Sequence, residues 1–185
     1  MDHGESCYRR FLAGDETGLT ELVRQYADGL LFFVLPIVGE FAAAEDIAEE
    51  TFARLCLKRP AYKNTASFKT WLYAIARNLA LDCVKKRGRV LPLTDEAREA
   101  LPELSDTPEE AYIRAEEHAA VRRALSALKP AYAQVLTLTY VEGLTNRQTA
   151  KVLRKSVHAV ENLNSRARQA LREALAKEGA LDENL

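Results

Sequence analysis

A cluster of fixed positive charge closes a segment that reads as one helix, SFKTWLYAIARNLALDCVKKRGR, residues 67–89. The four cations are Lys85, Lys86, Arg87 and Arg89. Seven residues, or two helical turns, separate Trp71 from Asn78, so the two side chains are predicted to share a face that the core does not need. Clustered Lys and Arg attract polyanions. The segment is therefore predicted to present a polyanion-binding surface.

The charges along the chain are strongly segregated, although the formal net charge of all 185 residues is −1. Residues 90–110 contain seven acids against Arg98 alone, a local charge of −6. Residues 147–172 contain seven bases against Glu161 alone, a local charge of +6. This pattern favours two cationic surfaces joined by an acidic connector. The alternative is that each block is an ordinary solvated helix face.

The second basic block has the layout of a helix-turn-helix. Thr145 and Gln148 are spaced as a capping box, and a break over residues 154–156 separates a first helix from a second. Val157, Val160, Leu163, Ala167 and Leu171 are predicted to face inward, which leaves the following side chains outward: His158, Ala159, Glu161, Asn162, Ser165, Arg166 and Arg168. Such a helix can enter the major groove of DNA. The alternative is a helical hairpin that only packs.

The elements that position these residues are predicted to be helices throughout, in an all-α fold. One helix is expected from Asp15, with an inward stripe that includes Val23, and another over 43–58. A third is expected from Ser67, with Ile75 and Cys83 in its buried stripe. Further helices are expected from Thr107 to about Ala127 and over 130–140, 145–153 and 156–177. Pro and acidic residues interrupt the helical pattern between the helix that begins at Ser67 and the one that begins at Thr107. We therefore predict two small helical domains, 1–87 and 108–185, joined by an acidic linker over 88–107.

Other classes of protein find little support in the composition. Cys7, Cys56 and Cys83 are far apart and lack CxxC spacing, so neither a disulfide framework nor a metal site is expected. No Gly-rich phosphate loop is present, and His3, His118 and His158 are widely spaced, so we expect no enzyme and no cofactor. The longest apolar run has nine residues, too few for a membrane span. A cytoplasmic location is expected.

In combination, these segments resemble the extracytoplasmic-function group of bacterial sigma factors, within the sigma-70 family. The first domain carries the resemblance in GDETGLTELVRQYADGL, AEDIAEETFARL and SFKTWLYAIARNLALD, and the second in LKPAYAQVLTLTYVEGLTNRQTAKVL and SVHAVENLNSRARQAL. The resemblance implies a non-catalytic subunit that binds core RNA polymerase and directs promoter-specific initiation. Its first domain would bind the β′ clamp helices and melt the −10 element, and its second would read the −35 element and touch the β flap.

The resemblance assigns candidate residues to each surface. For the −10 element they are Lys63, Asn64, Trp71, Tyr73, Arg77, Asn78, Lys85, Lys86, Arg87 and Arg89. For the −35 element they are Thr145, Arg147, Lys155, Ser156, His158, Ala159, Glu161, Asn162, Ser165 and Arg166. For core polymerase they are Asp46, Glu49, Glu50 and Phe52. An extruded base would occupy a pocket walled by Asn78 and residues 63–67.

The family pattern also marks departures and an open alternative. Many members carry basic residues where Glu161 and Leu163 stand, and many helix-turn-helix turns have Gly where Arg154 stands. Members are usually held inactive by an anti-sigma factor, so such a partner is expected. The alternative reading is a helix-turn-helix regulator whose N-terminal helices sense a ligand.

Overall fold

The computed structural model describes residues 3–88, 125 and 127–177, and all regular secondary structure within these ranges is helical. The helices are α1 (His3–Leu12), α2 (Thr17–Val38), α3 (Phe41–Lys58), α4 (Phe68–Arg87), α5 (Pro130–Leu136), a π-helical turn (Thr137–Val141), α6 (Asn146–Leu153) and α7 (Val157–Lys177). The predicted all-α class is confirmed. The predicted helix from Thr107 to Ala127 and most of the predicted linker lie outside the described residues.

Local sequence signals determine several helix ends. The Ser67 side chain accepts a hydrogen bond from the Thr70 amide and begins α4. The capping box predicted for Thr145 and Gln148 is present at the start of α6. Gly39 and Gly88 end α2 and α4 in the left-handed conformation, with φ of 76° and 74°, which glycine adopts without steric cost.

The first four helices share one core, and α4 contacts each of the other three. Leu30 and Phe33 of α2, Leu55 of α3 and Leu72 of α4 are almost fully buried. Helix α1, which the periodicity did not predict, adds Tyr8 to this core, where its ring centroid lies 5.5 Å from that of Phe68. The aromatic contact joins α1 to the start of α4, next to the loop that precedes it.

The second half packs α5, α6 and α7 together and also lies against α2 and α4. The predicted continuous helix over 130–140 changes to π-helical geometry at Thr137, and the amide of Glu142 donates to the Thr137 carbonyl. Inserting a residue in this way shifts the faces of the following side chains. Val141 is consequently exposed, whereas Leu144 is buried.

Two predicted inward positions are wrong, since Val23 of α2 and Val157 of α7 are exposed. Ile75 and Cys83 of α4 are only partly buried, but both pack against the core as predicted. Val157 begins α7, directly after the turn, where no neighbouring helix covers it. Among the described residues, no helix is long and apolar enough to cross a membrane.

Candidate nucleic-acid interface

The basic end of α4 is on the surface. Lys85, Lys86 and Arg87 are exposed in its last turn, where positive charge also complements the helix dipole. Arg87 forms an ion pair with Glu40, with Nη1 and Oε2 2.6 Å apart, and this carboxylate raises the pKa of Arg87. Arg89 lies outside the described residues. Within the part of the chain that the structure describes, Lys85 and Lys86 form no ion pair, whereas Arg87 forms one with Glu40.

Trp71 does not stand on a free face, as its spacing from Asn78 suggested. It is half-buried in an aromatic cluster, with its ring centroid 5.6 Å from Tyr8, 5.3 Å from Tyr62 and 5.5 Å from Phe68. The expectation that the core does not need this face is wrong for Trp71, because α1 and the loop before α4 cover it. Asn78, two turns later, is also half-buried.

A cavity of about 260 Å³ lies between the loop over residues 61–66 and α4. Its lining residues include Tyr62, Lys63, Thr65, Trp71 and Lys151. The loop therefore forms a pocket wall, as expected, but Asn78 is not among the lining residues. Asn78 lies further along α4, so a base pocket shared by Asn78 and residues 63–67 stays a prediction.

Helix α1 makes hydrogen bonds that hold the loop over residues 61–66. Asn64 has a left-handed backbone, with φ of 54°, and its side-chain amide donates to the Glu5 carboxylate at 3.0 Å. The Tyr8 hydroxyl donates to the Pro60 carbonyl at 2.8 Å. Lys63 is exposed beside these anchors. Helix α1 thus holds this segment at Pro60 and at Asn64.

Tyr73 is not available as a DNA contact in this arrangement. Its side chain is fully buried, with its ring 5.4 Å from Phe33. Its hydroxyl and the Glu142 carboxylate both flank Gly29, at a place where a Cβ atom would clash with both. Burial, followed by the neighbouring Glu142, raises the pKa of Tyr73 well above its ordinary value. Tyr73 is therefore a core residue, and its predicted place on the DNA face is corrected.

Arg77 lies between the two halves of the protein. It is half-buried, and its Nε atom is buried without a hydrogen-bond partner among the described residues. Burial, followed by repulsion from Arg154, lowers the pKa of Arg77. Two cations thus face each other across the contact between α4 and the helix-turn-helix. This repulsion opposes the packed arrangement.

Polar contacts bring α6 over the loop and the start of α4. Lys69 binds the Glu142 carboxylate at 3.0 Å and the Glu142 carbonyl at 2.9 Å. The Gln148 side chain donates to the Ser67 hydroxyl at 3.2 Å, and Lys151 donates to the Thr65 carbonyl at 2.8 Å. The first helix of the helix-turn-helix therefore covers part of the surface predicted to bind the −10 element.

The helix-turn-helix itself follows the predicted layout. Helix α6 ends at Arg154, which takes the left-handed conformation with φ of 53° and ψ of 46°. The Ser156 hydroxyl accepts a hydrogen bond from the Ala159 amide at 3.1 Å and caps α7. A side chain other than glycine at a left-handed position costs about 1 kcal/mol. The turn thus forms in spite of Arg154.

The outward face of α7 matches the prediction residue by residue. All ten candidates for the −35 element are exposed, namely Thr145, Arg147, Lys155, Ser156, His158, Ala159, Glu161, Asn162, Ser165 and Arg166. The His158 ring lies 3.1 Å from the Asn162 amide and 3.9 Å from the Glu161 carboxylate. These short polar contacts order the early part of the exposed face. The Asn162 amide is in hydrogen-bonding range of the His158 ring, and the Glu161 carboxylate lies just beyond that range.

A buried amide behind this face was missed. Asn164 is buried and donates to Asn146 Oδ1 at 3.0 Å, while its own Oδ1 accepts from the Thr139 hydroxyl at 3.2 Å. It joins α7 to the start of α6 and to the π-helical turn. Its spacing of four residues from Val160 and three from Ala167 places it on the buried stripe. That spacing could have identified it.

The candidate polymerase surface on α3 is acidic and exposed, apart from one member. Asp46, Glu49 and Glu50 are exposed, and Glu50 pairs with Arg54 at 2.9 Å. Phe52 is buried, so its ring supports α3 from the core side. The assignment of Phe52 as a polymerase contact is therefore corrected to a packing role.

Comparison with known proteins identifies the family to which this chain belongs. The model of Sigma-70 region 2 matches residues 22–90, and the model of Sigma-70, region 4 matches residues 118–171. The RNA polymerase sigma-H factor of Pseudomonas aeruginosa is 30% identical over 184 residues, covering 95% of this chain and 95% of that protein. The chain is a member of the sigma-70 family.

Within the sigma-70 family, the chain belongs to the extracytoplasmic-function group. The ECF RNA polymerase sigma factors SigE of Mycolicibacterium smegmatis and BldN of Streptomyces coelicolor are each 32% identical to it, over 168 and 164 residues. These alignments cover 89% and 88% of this chain but 65% and 62% of those proteins. The chain therefore spans just under two thirds of the length of these two relatives.

Two solved structures share the fold of this family member. CnrH, in complex with the cytosolic domain of CnrY, superimposes with a TM-score of 0.64 and 22% identity over 95% of this chain and 99% of that one. The sigma factor RpoE of Bartonella quintana, in complex with the anti-sigma factor NepR, superimposes with a TM-score of 0.63 and 18% identity over 85% of this chain and 96% of that one. The region 2 match spans the basic end of α4, and the region 4 match spans α6 and the exposed face of α7.

Proposed function

We propose that this protein binds core RNA polymerase and directs promoter-specific initiation of transcription by recognising −10 and −35 DNA elements. The observation that carries the proposal is the exposed polar face of α7 on a capped helix-turn-helix, in the segment that matches region 4. An α-helix of this kind fits the major groove, where its early side chains reach base edges. The protein acts by binding and catalyses no reaction itself.

The same proposal assigns a role to each surface. The first domain, residues 1–87, contacts polymerase through Asp46, Glu49 and Glu50 and contacts the −10 element through the basic end of α4. The second domain, 108–185, reads the −35 element. The acidic segment between them, 88–107, follows the path of nucleic acid in polymerase. Because polymerase and promoter DNA share the bacterial cytoplasm, the protein works there.

For the −10 element, the proposed contacts fall into two groups. Lys63, Lys85 and Lys86 are exposed and unpaired in the contacts described above, so they suit phosphates, and Arg89 is proposed to extend that group. Trp71, Arg77 and Asn78 are half-buried, so their proposed contacts with the −10 element require neighbouring residues to move away. Asn64 stays tied to Glu5 and shapes the loop rather than reading a base.

An anti-sigma factor is proposed as a further partner. The two related structures described above each contain a sigma factor bound to a second protein, named as an anti-sigma factor in the Bartonella quintana complex. A partner that holds α6 against the loop would keep both DNA surfaces from acting together.

Run-off transcription tests the proposed function directly. The full chain, added to purified core polymerase and a promoter library, is expected to yield transcripts from a subset sharing −10 and −35 elements. A helix-turn-helix regulator with a sensing domain is the second candidate. It would bind DNA without retaining core polymerase in a pull-down of the full chain, and that outcome would overturn the proposal.

The Asn78→Ala substitution separates melting from polymerase binding. We expect promoter opening, followed by permanganate reactivity of unpaired thymines, to fall, while the affinity for core polymerase is unchanged. Gln25→Ala, an exposed change on α2, is the matched control. Equal losses of opening and of polymerase affinity in Asn78→Ala would show that Asn78 is a structural residue.

A further inference from the structure

Three metal-ligating side chains meet where α1 packs on α2. His3 and Cys7 lie one turn apart on α1, and Glu21 lies in the second turn of α2. All three positions precede residue 22, where the region 2 match begins. The cluster contains none of the residues assigned to the two candidate DNA surfaces. It therefore belongs to a part of this chain to which the family assignment gives no role.

The distances between the donor atoms match those of a metal site. Cys7 Sγ lies 3.6 Å from His3 Nε2 and 3.2 Å from Glu21 Oε2, and all three donor atoms lie within 4.8 Å of one another. In a tetrahedral zinc site, bond lengths of about 2.3 Å to sulfur and about 2.0 Å to nitrogen or oxygen place neighbouring donors about 3.5 Å apart. Two of the three donor pairs thus already have this spacing, and the third pair, His3 and Glu21, lies within 4.8 Å.

We propose that His3, Cys7 and Glu21 bind a divalent transition-metal ion, with Zn²⁺ the best match. One thiolate, one imidazole and one carboxylate form a donor set that suits this class of ion and does not suit Mg²⁺ or Ca²⁺. Cys7 is 1% exposed, so the sulfur is shielded on the protein side. Binding releases the Cys7 thiol proton to solvent, and the fourth position is left for water or an external ligand.

Arg10 competes with the metal for the same carboxylate. Its Nη2 atom lies 2.6 Å from Glu21 Oε2 and 3.9 Å from Cys7 Sγ, while its Nε atom lies 3.8 Å from Asp15. A bound cation would repel this guanidinium, which can retain Asp15 as its partner. Arg10 therefore sets the affinity of the site. Removing its charge strengthens metal binding.

The position of the site gives metal binding a structural consequence. Helix α1 holds the loop over residues 61–66 through the Tyr8 bond to Pro60 and the Asn64 bond to Glu5. A metal that joins α1 to α2 fixes the support of that loop. Occupancy of the site thereby stabilises the pocket wall beside α4. This role does not depend on which DNA sequence the protein reads.

Titration with Co²⁺ tests the proposal, using the full chain without a histidine tag. We expect a thiolate-to-Co²⁺ charge-transfer band and tetrahedral d–d bands that saturate at one equivalent, with Zn²⁺ displacing the cobalt. His3→Gln changes an exposed residue and is expected to weaken binding by more than about tenfold. Arg10→Gln is expected to tighten it. His158→Gln and Cys83→Ser are the matched controls and leave the spectrum unchanged.

Thermal unfolding supplies a second measurement that does not depend on the spectrum. Zn²⁺ is expected to raise the unfolding midpoint of the original protein and of Cys83→Ser, but not that of His3→Gln. The absence of a charge-transfer band in the original protein would overturn the proposal. So would a band that His3→Gln leaves intact and Cys83→Ser removes, because the ion would then be bound elsewhere.

Discussion

At the scale of single residues, Arg154 destabilises the helix-turn-helix in which it lies. Its left-handed backbone is the conformation that glycine adopts freely, and its charge faces Arg77. Both features oppose folding, yet α6 and α7 form with their caps in place. The inward stripe of α7, together with the capping box of α6, outweighs the strain. Arg154 is thus a position where stability can be gained.

We predict that Arg154→Gly raises the free energy of unfolding by about 1 kcal/mol, because it removes the left-handed strain. Arg154→Gln is the matched control, since it removes the charge and keeps the strained backbone. Urea unfolding of both variants measures the effect. If the two variants gain equally, repulsion from Arg77 rather than the backbone carries the cost.

Asn164 gives a second prediction at this scale. Asn164→Ala removes an amide that satisfies Asn146 and Thr139 in a buried site, so it is expected to lower the free energy of unfolding by about 1–3 kcal/mol. Asn162→Ala, two residues away on the exposed face, is expected to change stability by less than about 0.5 kcal/mol. Equal effects in urea unfolding would contradict the structural role of Asn164.

At the scale of elements, the ion pair between Lys69 and Glu142 joins the two halves of the protein. The two side chains are 27% and 10% exposed, so water screens them less than it screens surface pairs. The Lys69 ammonium also binds the Glu142 carbonyl. This pair therefore links α4 to the segment before α6 through both the side chain and the backbone of Glu142.

A double-mutant cycle of Lys69→Gln and Glu142→Gln is expected to give a coupling energy of about 1 kcal/mol or more in urea unfolding. The control is the exposed pair of Arg54 and Glu50, one turn apart on α3, for which about 0.3–0.5 kcal/mol is expected. Equal coupling in the two cycles would mean that the halves separate easily and that the contact contributes little.

Elements with strong local signals could be predicted from the sequence, and those decided by neighbouring helices could not. The cap at Thr145 and the exposed face of α7 follow from residues a few positions apart. Tyr73 was misplaced because α4 is buried on more than one side, so a single apolar stripe does not describe it. Phe52 was misassigned because a family motif mixes contact residues with packing residues. Helix α1 was missed although Cys7, Tyr8 and Phe11 recur at helical spacing.

At the scale of the whole molecule, charge segregation determines how binding should respond to salt. The protein has almost no net charge, yet the exposed face of α7 carries Arg166 and Arg168, Lys155 lies in the turn, and Arg147 is exposed at the start of α6. Binding of a duplex to this face releases counterions from each neutralised phosphate. Affinity is therefore expected to fall steeply with salt despite the neutral total.

Arg166→Ala is expected to weaken binding to a −35 duplex and to reduce the slope of log affinity against log salt by about 1, the value for one lost phosphate contact. Arg24→Ala, an exposed change on α2, is the matched control and is expected to keep the slope of the original protein. A slope that Arg166→Ala leaves unaltered would place this side chain away from the phosphates.

The aromatic cluster has a practical consequence for observing this molecule. Trp71 is the single tryptophan in the chain, and it lies against two tyrosines and lines the cavity beside Lys151. The intrinsic fluorescence of the unlabelled protein therefore originates next to the surface where the two halves meet. Its emission wavelength and quenching by added acrylamide would report, in real time, whether water reaches that spot when polymerase or a promoter fragment is mixed in.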